Sequence, residues 1–265
     1  MAISAKQANQ VGLAFICRCF GISETCFRYQ PKLNVENQRI VDWLLRLTQT
    51  HKRWGFGLCY LYLRNVKGFR WNHKRIYRIY RELELNLRIK PRKRITRMCP
   101  NPLSVPIAMN QVWSMDFMSD ALDDGRKIRT FNVMDDYNRE GLTIDVDFSL
   151  PSERVIRSLE QVIEWRGKPA AIRCDNGPEY ISQKLEEWAT KHQITLLFIQ
   201  PGKPNQNAYI ERFNRTVRHE WLDMHSFESI KHAQNLATNW LWIYNNERPN
   251  MAINGLPPRY LLKAA

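Results

Sequence analysis

Asp116, Asp175 and Glu211 are the residues of this 265-residue chain whose types and placing could do chemistry. Asp116 closes a short strand-like run, 111–117, and Asp175 follows another, 171–174, just before Asn176-Gly177. Glu211 sits inside Q-P-G-K-P-N-Q-N-A-Y-I-E-R-F-N-R, residues 200–215. Carboxylates far apart in sequence, each at the end or edge of a regular element, suit a divalent-metal site for phosphate chemistry. Hard cations take oxygen ligands, and two such ions can hold both the attacking and the leaving oxygen of a phosphodiester. Taken singly, each residue has a plainer reading: a polar strand end, a turn aspartate before Asn-Gly, and a surface glutamate paired with Arg215 at i,i+4. Asp135, Asp136, Asp145 and Asp147 are also strand-edge acids and are not assigned as ligands.

The charge balance points to the partner. Forty Lys+Arg against 26 Asp+Glu give +14, with a pI near 9.7. The excess is confined to residues 1–100, which carry +16, while residues 101–265 carry −2. Clustered cations gain affinity for a polyanion by releasing its counterions, so the basic part reads as the binding arm and the acidic part as the chemistry. The six cysteines show neither a disulfide framework nor a CxxC pair. His51, His73, Cys59 and Cys99 lack the short pairs of a zinc module and are read as ordinary residues. No apolar run reaches the length of a membrane span and no signal peptide is evident, so a reducing, cytoplasmic setting is expected.

Elements must position these groups. Residues 7–20 read as a helix, and Gly21-Ile22-Ser23 as a turn and N-cap ahead of a second one, the shape of a helix-turn-helix fragment. Further helices are expected over 35–51, near 57–65, and over 72–85. In the last, Ile76, Ile79, Tyr80, Leu83 and Leu87 form an apolar stripe, while Lys74, Arg78 and Arg81 fall about 140–200° from Ile76. With Arg75 these are the candidate DNA-contacting residues of the arm. The run Arg88, Lys90, Arg92, Lys93, Arg94, Arg97 continues the basic character up to a proline-rich linker. The expected domains are a helical segment 1–34, a basic helix-turn-helix domain 35–98, a linker 99–109, a catalytic core 110–224 and a helical tail 225–265.

From residue 110 the texture turns to strands and helices in alternation. Strands are expected over 111–117, 128–134, 142–148, 171–174 and 195–199, with a hairpin turn at Asp123-Asp124-Gly125. Helices are expected over 152–166 and 182–192. The result is an α/β fold, a mixed five-stranded sheet flanked by helices. Trp113, Met115 and Phe117 face one side of the first strand, Ser114 and Asp116 the other. A later helix buries Ile210, Phe213, Val217, Trp221 and Met224. Arg218, seven residues after Glu211, returns to nearly the same angular position on it.

These residues resemble the DDE transposases of bacterial insertion sequences, specifically the second-reading-frame (OrfB) product of the IS-three type. W-S-M-D-F around Asp116, C-D-N-G-P-E-Y around Asp175 and P-G-K-P-N-Q-N-A-Y-I-E-R-F-N around Glu211 carry the likeness, with 35 residues between Asp175 and Glu211. Arg218 stands where the family has Lys or Arg, and Y-N-N-E-R-P-N looks like its closing segment, though Asn250 replaces the usual histidine. The resemblance implies a ribonuclease-H-like, integrase-type core preceded by an all-α helix-turn-helix region. It implies that Asp116, Asp175 and Glu211 are catalytic and bind two Mg²⁺ ions, with Mn²⁺ as a substitute, about 3.5–4 Å apart. Lys203, Asn207, Arg215 and Arg218 would contact DNA near them. The implied partners are double-stranded DNA (the terminal inverted repeats and the target), further copies of the chain in a synaptic complex, and the upstream-frame (OrfA) product by fusion or association, in a nucleoid-associated setting. The alternatives from other classes are a non-catalytic DNA-binding regulator of transposition, and a host nuclease of the same fold.

Overall fold

The computed structural model describes residues 12–28, 35–87, 103, 105–177, 182–200 and 204–262, which belong to two compact units, residues 1–42 and 43–265. In the first unit, α1 (Leu13–Cys19) leads through Gly21, at φ 61°, into the short α2 (Glu24–Arg28). The Cys26 N–H donates to Ser23 Oγ at 3.1 Å, the side-chain cap expected there. The start of the first expected helix, residues 7–11, lies outside the described residues.

α3 (Val35–Thr50) buries Ile40, Leu44 and Leu47 at helical spacing. In the second unit, α4 (Phe56–Leu61) runs into a π-helical turn, Tyr62–Val66. α5 (His73–Glu82) is capped by Asn72, whose side chain accepts from Lys74 N. Ile76, Ile79 and Tyr80 are buried on it, as the stripe predicts. The helix is shorter than the apolar spacing predicts. The chain leaves it at Leu83, Glu84 takes a left-handed φ of 54°, and Leu87 lies exposed beyond its end.

The sheet comprises β1 (Val112–Ala121), β2 (Lys127–Asp135), β3 (Gly141–Asp147), β4 (Ala171–Cys174) and β5 (Thr195–Phe198) in the order β3-β2-β1-β4-β5. β1 to β3 form the antiparallel meander, and β4 and β5 add on parallel. β1 does not stop at Phe117. Its ladder with β2 continues to Ala121↔Lys127, which places Asp116 in the middle of the strand. One face buries Trp113, Met115, Phe131 and Val133 against α6 (Ser152–Arg166) and α7 (Gln183–Lys191). The other buries Ile128, Met134, Ile144 and Val146 against α8 (Ala208–Glu220) and α9 (Ile230–Asn246). α8 ends one residue before Trp221, which packs its ring on Phe227 (centroids 5.5 Å apart); Met224 therefore belongs to a separate 3₁₀ turn, Leu222–Met224, and not to the helix.

β3 is an edge strand, and an edge leaves backbone groups unpaired. α9 supplies their partners. Gln234 accepts from Val146 N and donates to Ile144 O, both at 2.8 Å. Three turns further on, Asn245 accepts from Gly141 N at 2.9 Å and donates to Gly141 O at 2.7 Å. Gly141 is required at that contact, because a Cβ there would lie 2.5 Å from Leu241 Cδ1 and 2.9 Å from Phe213 Cζ.

The tail also fastens the helical arm. Arg248 grips Glu220 with Nε and NH2 at 2.8 and 2.6 Å, and Trp54 Nε1 donates to the same carboxylate at 3.3 Å. Asn65 Nδ2 donates to Gly255 O at 2.8 Å; at Gly255, φ is 71° and an added Cβ would meet Leu61 at 2.8 Å. Asn250 closes the terminal turn, its Oδ1 accepting from Ala252 N and its backbone bridging to Leu256. Asn245→Ala is expected to destabilise the chain by about 1–3 kcal/mol in chemical denaturation, since it strands two buried backbone groups. A change under about 0.5 kcal/mol would contradict this role for α9.

Candidate active site

The first two carboxylates meet through strand register. β1 and β4 pair in parallel as Val112↔Ala171, Trp113↔Ile172 and Ser114↔Arg173. Two residues further along both chains come Asp116, still on β1, and Asp175, one residue past the end of β4. The junction lies where the strand order reverses, between the meander and the parallel pair. The register is clamped by a third aspartate. Asp136 is fully buried beyond the end of β2; its Oδ1 accepts from Ser114 Oγ at 2.6 Å and its Oδ2 from Arg173 NH1 at 2.5 Å. It thus ties together the two residues that face each other across the seam. Beyond β4, Gly177 N donates to Asp175 Oδ1 at 2.9 Å and Asn176 Nδ2 to Ile199 O at 2.8 Å, an Asx turn that aims the carboxylate.

Glu211 arrives on α8. One turn beyond it, Asn214 is buried against the sheet; its Nδ2 donates to Asp116 Oδ2 at 2.8 Å, and its Oδ1 accepts from Asn132 Nδ2 at 2.7 Å. This chain of hydrogen bonds runs from β2 through α8 to β1 and fixes the height and rotation of the helix. Glu211 itself is exposed and makes no ion pair among the described residues; the plainer reading, a pair with Arg215, is not what forms.

Burial pushes Asp116 up to about 6, from an ordinary 3.8, and the charges of Asp175 and Glu211 push the same way. Hydrogen bonds from Phe117 N and Asn214 oppose them. The three acids are therefore close enough to repel, which is the property a dication would relieve. Their donor set is all oxygen, as hard cations prefer. Among the described residues, no three His, Cys, Asp or Glu side chains are drawn together to metal-binding distance, so the arrangement is an electrostatic cluster and not a closed cage. The other acids are engaged elsewhere: Asp135 accepts from Asn110 N and Tyr137 N, Asp145 from Thr143, and Asp147 from Arg154. Cys174, next to Asp175, is a buried thiol pushed up to about 12 by desolvation, and so is inert.

The remaining candidates are placed differently. Arg218 turns to β1, where it pairs with Asp120 and donates to Ser119 O at 2.6 Å. Arg215 is exposed on the face of α8 that carries Glu211. Asn207 is 3 % exposed, its Oδ1 without a partner among the described residues, and so is not placed to touch DNA directly. Lys74, Arg78 and Arg81 are exposed on α5, Arg78 beside Glu82 at 3.5 Å; Arg75 is half-buried between them. Lys203 and the basic run 88–97 lie outside the described residues. Sequence reading missed Asn214, Asn132 and the Ser114–Asp136–Arg173 clamp. The one available signal was that Asn214 falls one helical turn after Glu211.

Two models described as the integrase core domain match residues 107–204 and 192–258. The uncharacterized 31.7 kDa protein of insertion element IS407 from Burkholderia multivorans is 38 % identical over 242 residues, with 91 % of this chain and 87 % of that protein covered. A relative named as a transposase, InsK of insertion sequence element IS150 from Escherichia coli (strain K12), is 23 % identical, with 92 % and 90 % covered. Among solved structures, a chain of the simian T-cell lymphotropic virus intasome in complex with PP2A regulatory subunit B56 gamma shares the fold, with a TM-score of 0.53, 18 % identity, and 82 % of this chain and 73 % of that one covered.

The raised Asp116 makes a signed prediction for the metal-free chain. A carboxyl whose folded value is raised stabilises the fold fully below its unfolded value, 3.8, and that stability is lost as pH climbs through about 6. Asp116→Asn carries no such charge. Its stability relative to the parent chain is expected to improve between pH 4 and pH 7 by on the order of 2 kcal/mol, measured by denaturation with chelator present. A difference that stays flat with pH would contradict the placement.

Proposed function

The chain belongs to the DDE transposases of bacterial insertion elements, built on an integrase core, and on that premise we propose that Asp116, Asp175 and Glu211 are the catalytic residues with which it cuts element ends and joins them to new DNA. Transposition and integration of DNA are its function, and it is an enzyme of the polynucleotidyl-transferase kind. The observation that carries the residue assignment is the convergence of three acids from β1, β4 and α8, sensed as the combined push of Asp175 and Glu211 on Asp116. The finer family assignment, the IS-three type, is supported by the three quoted motifs and the spacing of the second and third acids.

The acids are suited to a pair of divalent cations, Mg²⁺ with Mn²⁺ as substitute, which when bound would polarise the phosphodiester and water oxygens and offset developing negative charge. In the first reaction a water oxygen bonds to phosphorus, the P–O3′ bond breaks, and the released 3′ oxygen takes up a proton. In the second, that 3′-OH bonds to phosphorus of another phosphodiester and displaces its 3′ oxygen. Neither needs a covalent protein–DNA intermediate. Asn214 keeps Asp116 Oδ2 oriented, and the Asx turn does the same for Asp175, so neither carboxylate has to be ordered at the moment of reaction.

DNA would reach the acids from the basic arm. Lys74, Arg78 and Arg81 offer cations on the exposed face of α5, with Arg75 beside them and Arg215 near Glu211. The domain scheme set out from sequence, assembly of several copies on paired element ends, and fusion or association with the upstream-frame product belong to the same reading. Among the described residues no helix is long and apolar enough to cross a membrane.

Asp175→Asn is expected to abolish end cleavage and strand joining on labelled element ends with Mg²⁺, while duplex binding stays within about twofold, a difference under 0.5 kcal/mol. Retained joining by this variant would sink the assignment. Alanine at Lys74, Arg78 or Arg81 should lower the slope of log binding constant against log salt by about 0.9 for each lost phosphate contact.

A further inference from the structure

Arg139 is a guanidinium that, among the described residues, pairs with no carboxylate. It is 7 % exposed, its NH1 is buried with no hydrogen-bond partner, and among the described residues its side chain makes no hydrogen bond or ion pair. Its guanidinium lies over the Tyr209 ring, 3.4 Å from the guanidinium carbon to the centroid. Asp136 attracts it electrostatically, but that carboxylate bonds Ser114 and Arg173 and, among the described residues, forms no ion pair with Arg139. A buried charge left this way is costly unless an anion from outside completes it. The backbone does not favour the position either, since Arg139 sits at φ 63° in the turn between β2 and β3.

Arg139 lines a cleft of about 570 Å³ between that turn, α8 and the C-terminal segment. Two more arginines line it, Arg212 and Arg248, and among the described residues no acid does. Arg248 is matched by Glu220; Arg212 has no ion pair among the described residues. Thr216 and Asn250 add polar atoms at the wall, and Phe213 and Tyr244 an aromatic floor. Planar guanidiniums with neighbouring polar groups are suited to phosphate oxygens. Measured from Glu211 at about 100° per residue, Arg212, Thr216 and Tyr209 lie about 100°, 140° and 160° round α8, with Arg215 between Glu211 and Arg212. With a helix of roughly 10–12 Å diameter between the two places, one phosphodiester cannot occupy both.

We infer that this cleft is a second phosphate-binding site, across α8 from the carboxylates, and that it takes a backbone phosphate from a different stretch of DNA than the one at Glu211. That the phosphate is DNA's rests on the transposase reading; the affinity of the cleft for phosphate does not.

The test uses the full chain with chelator present, so that metal-dependent binding at the carboxylates is silent and its failure is a separate result. Binding of a 30-base-pair duplex is followed by anisotropy against salt, and thermal stability is followed with added pyrophosphate. Arg212→Gln is expected to lower the salt slope by about 0.9, Arg139→Gln by a similar step, and the control Arg157→Gln, on exposed α6 surface, not at all. Pyrophosphate should raise the melting temperature of the parent chain and not that of Arg139→Gln. If Arg139→Gln fails to fold, Arg212→Gln and the pyrophosphate shift of the parent decide. A pyrophosphate shift with an unchanged slope in Arg212→Gln would overturn the DNA assignment. No shift and an unchanged slope would overturn the site.

Discussion

Asp136 is the residue on which the arrangement of the candidate active site depends. β1 and β4 share only three register pairs, too few to fix a parallel alignment by backbone bonds alone. The buried carboxylate adds a side-chain link to each partner of the last pair, Ser114 and Arg173. A slip of one residue would break both links, leave a nearly buried arginine uncompensated, and turn Asp116 away from Asp175. The acid that aligns the site is thus chemically idle. Each of its oxygens holds one partner, and its own ionisation is disfavoured by burial.

What the clamp brings together, electrostatics would separate. Burial raises Asp116, and the charges of Asp175 and Glu211 add to that push. The counterweight is apolar and amide packing on the α8 side of the sheet: Ile210, Phe213 and Val217 bury the helix, and the Asn132–Asn214–Asp116 chain sets its rotation. The C-terminal segment then covers that layer. Asn245 and Gln234 complete the edge of β3, while Arg248 and Glu220 hold α8, α9 and Trp54 of the arm in one block. The closing Y-N-N-E-R-P-N motif is therefore structural in its visible contacts. Tyr244 packs on Phe213, Asn245 caps the strand edge, Arg248 latches the arm, and Asn250 closes the turn.

Much of this was legible before any coordinates. Alternation along β1 separated Trp113, Met115 and Phe117 from Ser114 and Asp116 correctly, and α6 and β4 have the bounds read from their patterns, because burial writes itself into periodicity. The misreadings have local causes. β1 looked shorter because Ser119 and Asp120 are polar, yet they sit on strand held by the ladder to β2 and, for Asp120, by Arg218. α8 looked longer because Trp221 and Met224 continue its spacing, although the chain has already left the helix. Asn214 and Asp136 were illegible as positioning groups. A buried amide or acid acts through partners distant in sequence, and no local pattern announces which partners those are. Arg139 was missed for the same reason, since its isolation is a property of the fold.

The account's central claim is that register and helix rotation put Asp116, Asp175 and Glu211 at one place where they share divalent cations. Anomalous diffraction from crystals of the full chain soaked in Mn²⁺ tests it most directly. The predicted result is an anomalous peak bridging the Asp116 and Asp175 carboxylates, with Glu211 turned in from α8 to close the site. A peak held by Asp135 or Asp136 instead, or by one of the three acids alone, would contradict it.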